Sequence, residues 1–336
     1  MAEKLIEITR GDVVECIHRG DISIVNSKGQ LAYKVGNPDK YTYFRSAAKP
    51  IQALNVILSG AADKFNFSSK ELAVMCASHY AEKNHIDTVQ KILEKIDLTK
   101  DYILSGKSKP LNSRIAFKYA WENREDDQLF NDCSGKHAGM LAICKYKGYL
   151  TENYNSKDHP IQKEILEILS DISHYDSVHI KLGIDGCSVP VHALPLYNMA
   201  LAYARLADTD HLDTQLKTAA DRIFRAMVEN PFMIAGTNGF CTELIKQSNG
   251  KLIGKIGAEG VYCLGIKDKG LGIAVKIEDG SMDVLPPVVI KILEELEVLN
   301  KNELKSLEQF RILNNYNDVN NVVGTIYPAF NLKHAK

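Results

Sequence analysis

In the stretch YFRSAAKPIQAL (Tyr43–Leu54) the chain changes its hydrophobic period. Upstream, VVECIHR and ISIVN are rich in β-branched residues, with Gly20-Asp21 read as a turn between them. LAYKVG follows a second turn at Ser27-Lys28-Gly29. These segments read as strands. From Ser46 onward, Ile51, Leu54, Val56 and Leu58 instead fit a helix ending near Gly60. Ser46 and Lys49 lie three apart and so share a helix face. One reading is an ordinary helix start with a solvent-facing lysine. The other is an acylating serine beside its own base. A serine hydroxyl is a weak nucleophile until a base takes its proton, and a lysine serves only when neutral. Desolvation and a nearby cation such as Arg45 both favour the neutral amine.

Working outward, residues 61–244 are mainly helical in pattern. Ser68-Ser69 with Glu71 reads as a helix cap before LAVMCAS, and HIDTVQKILEKI is amphipathic. CSGKHAGMLAICKYKGY reads as a loop entering a buried helix, and HPIQKEILEILSDIS as a helix with proline in its first turn. LYNMALAYARLA and TQLKTAADRIFRAMVEN continue the helical block. Strands return in KLIGKIG, EGVYCLGIK and LGIAVKIED, followed by the helix LPPVVIKILEELEVL. The expected class is α+β. One antiparallel sheet is built from both chain ends, about 1–60 and 245–336, with a mostly helical subdomain inserted over about 61–244.

The 336 residues carry a net charge of −1, which excludes a basic footprint for nucleic acid or an acidic membrane. No apolar run reaches the roughly 18 residues of a membrane span, and MAEKLIEITRGD lacks the apolar core of a signal peptide. Seven scattered cysteines, odd in number, argue for free thiols in a reducing compartment, hence a cytoplasmic protein. No Gly-x-Gly-x-x-Gly or phosphate-binding loop follows a strand, which leaves nucleotide chemistry without support.

Further residues of chemical character sit in glycine-rich or polar turns. Ser78 and His79 in CASHYAE follow an apolar run, where a helix C-terminus accounts for them equally well. NDCSGKHAG and GIDGCSVP bring Cys133, His137 and Cys187 into consideration as two thiols and a nitrogen for Zn²⁺, against two buried thiols in tight turns. Asp132 and Asp185 flank those cysteines as possible supporting acceptors. Lys255 beside the Gly-Ala-Glu-Gly turn is either a solvent-facing strand residue or a second cation near the serine. Thr237 and Asn238 in AGTNGFCTEL have hydrogen-bonding side chains in a glycine-rich turn.

In this order FRSAAKP, ASHYAE, CSGKHAG, GIDGCSVP, AGTNGFCTEL and K-x-GAEGV resemble the motifs of the Rhizobium-type L-asparaginases, also called the thermolabile or asparaginase II-like group. The resemblance runs from about Arg10 to Ile277. It implies a fold similar to serine β-lactamases, penicillin-binding proteins and serine-dependent glutaminases, and hydrolysis of L-asparagine to L-aspartate and ammonia. It implies two Ser–Lys tandems, Ser46 with Lys49 and Ser78 with Lys255. It also implies a zinc site of Cys133, Lys136 and Cys187 with Asp185 close by, where the spacing alone had pointed to His137. A homodimer is implied too. Arg45 and Asp185 suit the α-carboxylate and α-amino groups of the substrate, with His79 and Thr237 as further substrate contacts. Tyr80-Ala81 stands where many relatives carry Ser-Gly. Two alternatives stay open. One is another serine amidohydrolase, such as a glutaminase or a penicillin-interactive hydrolase. The other is a non-catalytic zinc or amino-acid sensor on the same scaffold.

Overall fold

Strands from both ends of the chain meet in one sheet. The computed structural model describes residues 2–335. The strands are β1 (Glu3–Arg10), β2 (Val13–Asn26), β3 (Leu31–Val35), β4 (Tyr41–Tyr43), β5 (Lys181–Ile184), β6 (Pro190–Pro195), β7 (Leu252–Gly257), β8 (Val261–Ile266), β9 (Leu271–Ile277), β10 (Leu313–Tyr316), β11 (Val322–Pro328) and β12 (Lys333–His334). The main sheet runs β10-β11-β1-β2-β9-β8-β7, with β3 also on β2 and β12 on β3, all antiparallel. A second sheet, β4-β6-β5, joins β4 to two strands from the middle of the chain.

The helices are α1 (Lys49–Leu58), α2 (Ala61–Lys64), α3 (Ser69–Met75), α4 (Lys83–Lys95), α5 (Ser113–Trp121), α6 (Ser134–Lys147), α7 (Pro160–Ser173), α8 (Leu196–Ala207), α9 (Thr214–Glu229), α10 (Phe240–Gln247), α11 (Leu285–Glu295), α12 (Lys301–Ser306) and α13 (Glu308–Arg311). The cap at Ser68 forms as a capping box, with Glu71 returning to the Ser68 backbone. Among the described residues no helix is long and apolar enough to cross a membrane.

Two details depart from the sequence reading. Gly20-Asp21 is not a turn, because β2 passes through it as one strand of 14 residues. A Cβ on Gly20 would sit 2.3 Å from the Lys276 carbonyl oxygen, so glycine here serves close strand approach. Asp21 is buried and accepts the Asn37 N–H at 2.7 Å. The strands after residue 312 give little signal because the asparagine-rich run 313–321 reads as a turn and both β10 and β11 are largely half-exposed. Helix α1 packs with α6, α7 and α9 in the helical layer. Helix α8, from the middle of the chain, lies flat on β2, β8 and β9. Its seat is cut by two glycines. A Cβ on Gly265 would fall 2.3 Å from the Tyr203 carbonyl oxygen, and one on Gly272 would fall 1.8 Å from that of Ala200.

Candidate active site

Ser46 lies on a single 3-10 turn, Arg45–Ala48, that feeds directly into α1. The residue before it, Arg45, has φ +51°, a left-handed conformation that costs a non-glycine residue about 1–2 kcal/mol. Tertiary contacts hold that strain. The Phe44 N–H donates to the His192 carbonyl at 2.8 Å, and the Arg45 guanidinium reaches Asp185 at 3.1 Å. Strand β7 runs against the turn because Gly257 has no side chain, and a Cβ there would meet the Phe44 carbonyl at 2.9 Å.

Two buried lysines converge on one hydroxyl, and it belongs to Ser78. Helix α3 ends at Met75, and the chain then runs extended beside residues 234–235. The Ser78 N–H donates to Ile234 and the Tyr80 N–H to Ala235. This places Ser78 Oγ 3.0 Å from Lys49 Nζ and 2.8 Å from Lys255 Nζ. Lys49 Nζ also donates to the Ala77 carbonyl at 2.7 Å and reaches Asp132 Oδ2 at 3.2 Å. Lys255, on β7 at the edge of the main sheet, donates to the Ile256 carbonyl at 2.7 Å. Ser46 Oγ, half-buried, has no hydrogen-bond partner among the described residues. The pairing expected between Ser46 and Lys49 is therefore not made as a hydrogen bond, and Lys49 turns to Ser78 and Asp132.

The two lysines are in opposite electrostatic states. Burial works most strongly against charge on Lys49, but the Asp132 carboxylate together with the Cys133 and Cys187 sulfurs outweighs it and the net direction is up. Burial likewise opposes the charge on Asp132, and Lys49, helped by His79 and Lys255, overrides it and holds the carboxyl at about 2. The sequence reading expected a neutral Lys49, whereas the carboxylate beside it favours the charged form. Burial dominates at Lys255 and lowers it to about 8.

His79, expected to contact substrate, is tied into the fold by its own bonds. It is wholly buried, with Nε2 2.8 Å from Ser134 Oγ and Nδ1 accepting the Ala81 N–H, and its ring stacks on His85. It fastens the loop carrying Ser78 to the start of α6. Thr237 gives both its N–H and its hydroxyl to the Glu82 carboxylate, each at 2.7 Å. Glu82 therefore ties together the loops of Ser78 and Thr237, a role the sequence reading missed. It also missed Asp132 as the counter-ion of Lys49. The only signal for either was its place inside a motif, ASHYAE or NDCSGKHAG. Arg45 and Asp185, expected to meet opposite ends of a substrate, form an ion pair with each other.

The start of α6 and the turn before β6 bring Cys133, Lys136 and Cys187 together. Lys136 Nζ lies 2.9 Å from Cys187 Sγ. The neighbouring Cys133 thiol and the Lys136 ammonium draw the Cys187 pKa far down against its burial. Lys136 is pushed up, since the two sulfurs outweigh its burial. Among the described residues no three His, Cys, Asp or Glu side chains are placed to hold a metal, so the set of Cys133, His137 and Cys187 does not form. His137 Nδ1 is taken by the Tyr154 hydroxyl at 2.6 Å, and its buried Nε2 is unpartnered. Two sulfurs and an amine at one point remain a donor set that suits Zn²⁺, provided the metal displaces the Lys136 proton.

Solved structures that overlap this chain include three of different description. Mglu in its native form in 4.3 M NaCl gives a TM-score of 0.48 at 13% identity, covering 85% of this chain and 63% of that one. A β-lactamase from Mycobacterium bovis gives 0.43 at 10% identity, covering 82% and 94%. The D-alanine carboxypeptidase AmpC from Burkholderia cenocepacia gives 0.37 at 10% identity, covering 87% and 92%. Overlaps this loose say nothing of the reaction. Comparison with curated proteins gives no match. A family model described as L-asparaginase II matches residues 6–328, and the chain therefore belongs to that family of amide hydrolases.

Proposed function

We propose that the chain hydrolyses L-asparagine to L-aspartate and ammonia by acyl transfer through Ser46. The observation that carries this reading is the Ser78 hydroxyl held between Lys49 and Lys255, one lysine kept charged and the other depressed by burial. The two amines share protons across Ser78. When Lys255 is neutral, a proton passes from Lys49 through the Ser78 hydroxyl to Lys255, leaving Lys49 free to serve as base. Ser46 stands one turn before Lys49 and is the less buried of the two serines. Its oxygen attacks the side-chain carboxamide carbon while its proton goes to Lys49. The C–N bond breaks, the nitrogen takes a proton and leaves as ammonia, and a β-aspartyl ester remains on Ser46. Water then adds to the ester carbon, gives up a proton to the same amines, and aspartate departs as Ser46 is restored. The Arg45–Asp185 pair suits a zwitterion, whose carboxylate and ammonium replace each half of the ion pair. Cys133, Lys136 and Cys187 would hold a zinc ion, which supplies a fixed positive charge beside Asp185.

Ser46→Ala and Lys49→Ala should each lower ammonia release from L-asparagine by about three orders of magnitude or more, in a folded protein. L-glutamine and a β-lactam serve as competing substrates in the same assay. Near-normal turnover in Ser46→Ala would move the nucleophile to Ser78. Seven free thiols suit work in the cytoplasm. A homodimer is proposed as well, to be tested by light scattering.

A further inference from the structure

The turn that carries Ser46 is strained, and one of its restraints comes from the far side of the fold. Tyr203, on α8, is fully buried and donates its hydroxyl proton to the Ala47 carbonyl at 2.7 Å. Its ring also lies 6.2 Å from that of Phe44, at the other end of the turn. Helix α8 cannot shift beneath it. Gly265 and Gly272 let the sheet touch the α8 backbone at Tyr203 and Ala200, with no room for a Cβ. Lys255 belongs to the same sheet, two strands from Gly272. The sheet thus sets the height of α8, α8 sets the Tyr203 hydroxyl, and that hydroxyl sets the turn of Ser46 relative to Lys255.

We propose that Tyr203 is a positioning residue for the reaction, holding the strained Arg45–Ala48 turn so that Ser46 faces the Lys49–Ser78–Lys255 group. This rests on the reading of Ser46 as nucleophile. Without the hydroxyl the Ala47 carbonyl is released and the Ser46 oxygen swings out of line, while Arg45 stays fixed on Asp185. Substrate groups held by the Arg45–Asp185 pair stay bound, so the loss falls on kcat and leaves KM nearly unchanged.

The test compares Tyr203→Phe with Tyr197→Phe. Tyr197 lies on the same helix and donates its hydroxyl to the Gly29 carbonyl, away from the site, so it controls for a merely structural loss. Ammonia release from L-asparagine should show kcat down about 10- to 100-fold in Tyr203→Phe, the scale of a misplacement of about 1 Å, with KM within about threefold. Tyr197→Phe should match the parent. A second readout needs neither asparagine nor turnover: the rate at which a fluorophosphonate labels Ser46, read by peptide mass spectrometry. That rate should fall by a similar factor in Tyr203→Phe. If the parent is labelled at Ser46 but ignores asparagine, the substrate assignment fails and the labelling comparison still decides the role of Tyr203. Equal labelling rates in the parent and Tyr203→Phe overturn the positioning role. Labelling of Ser78 in place of Ser46 overturns both the nucleophile and the inference. A Tyr203→Phe protein that unfolds while Tyr197→Phe does not, with Ser46 labelling normal below its melting point, also overturns it.

Discussion

Replacing Lys255 by methionine should stabilise the fold while abolishing its chemistry. Burial lowers the Lys255 pKa from an ordinary 10.5 to about 8, and the folded chain keeps it wholly out of water. Below pH 8 the amine is charged in both states, and the folded state bears the cost of desolvating it. Between pH 8 and 10.5 the unfolded chain binds a proton that the folded one does not, so stability rises with pH across that window. Above 10.5 both states are neutral and the cost is gone. The gap corresponds to about 3 kcal/mol at neutral pH. Methionine removes the charge, but it also removes the donors to Ser78 and Ile256, each worth about 1 kcal/mol. A net gain of about 1–2 kcal/mol at pH 7 is left, or a few degrees in Tm. At pH 10.5 the gain should vanish or turn into a loss. Calorimetry at the two pH values reads the stability, and ammonia release reads the activity. In the parent protein the same group sets an acid limb. The neutral fraction of a group with pKa about 8 is about 1% at pH 6, 10% at pH 7 and half at pH 8, so kcat/KM should climb roughly tenfold over the first of these steps and about fivefold over the second. A Tm loss in Lys255→Met of equal size at both pH values would refute the reasoning. So would a pH profile flat from 6 to 9.

Cys187→Ser should lower the zinc content of purified protein measured by elemental analysis, with Cys133→Ser doing the same; unchanged metal in both variants would remove Cys133, Lys136 and Cys187 as its site. Gly272→Ala should destabilise the fold by about 3 kcal/mol or more, because the new methyl would lie 1.8 Å from a helix carbonyl that cannot yield. A melting temperature equal to the parent's would mean that α8 is not pinned to the sheet as described.

Several features of this protein follow from residues read along the chain. The change of period at Ser46 marks a real boundary, since a helix buries every third or fourth side chain and a strand every second. The cap at Ser68 is likewise a local bond between residues three apart. The return of strands after residue 250 is visible in uninterrupted apolar runs, because those strands are covered on both faces. Tertiary structure decided what no local pattern carries. Gly20 looked like a turn because glycine is used both for turns and for close packing, and only the neighbouring strand distinguishes the two. Lys49 looked like a neutral base three residues after its serine. The carboxylate that faces it belongs to Asp132, 83 residues further on, and its hydrogen bond goes to Ser78, 29 residues away. Electrostatic energy depends on distance through space and on exclusion of water, and neither can be counted in residues. The ingredients of the site were therefore legible in the motifs, while its protonation and its pairing came into being only when the sheet and the helical layer closed on them.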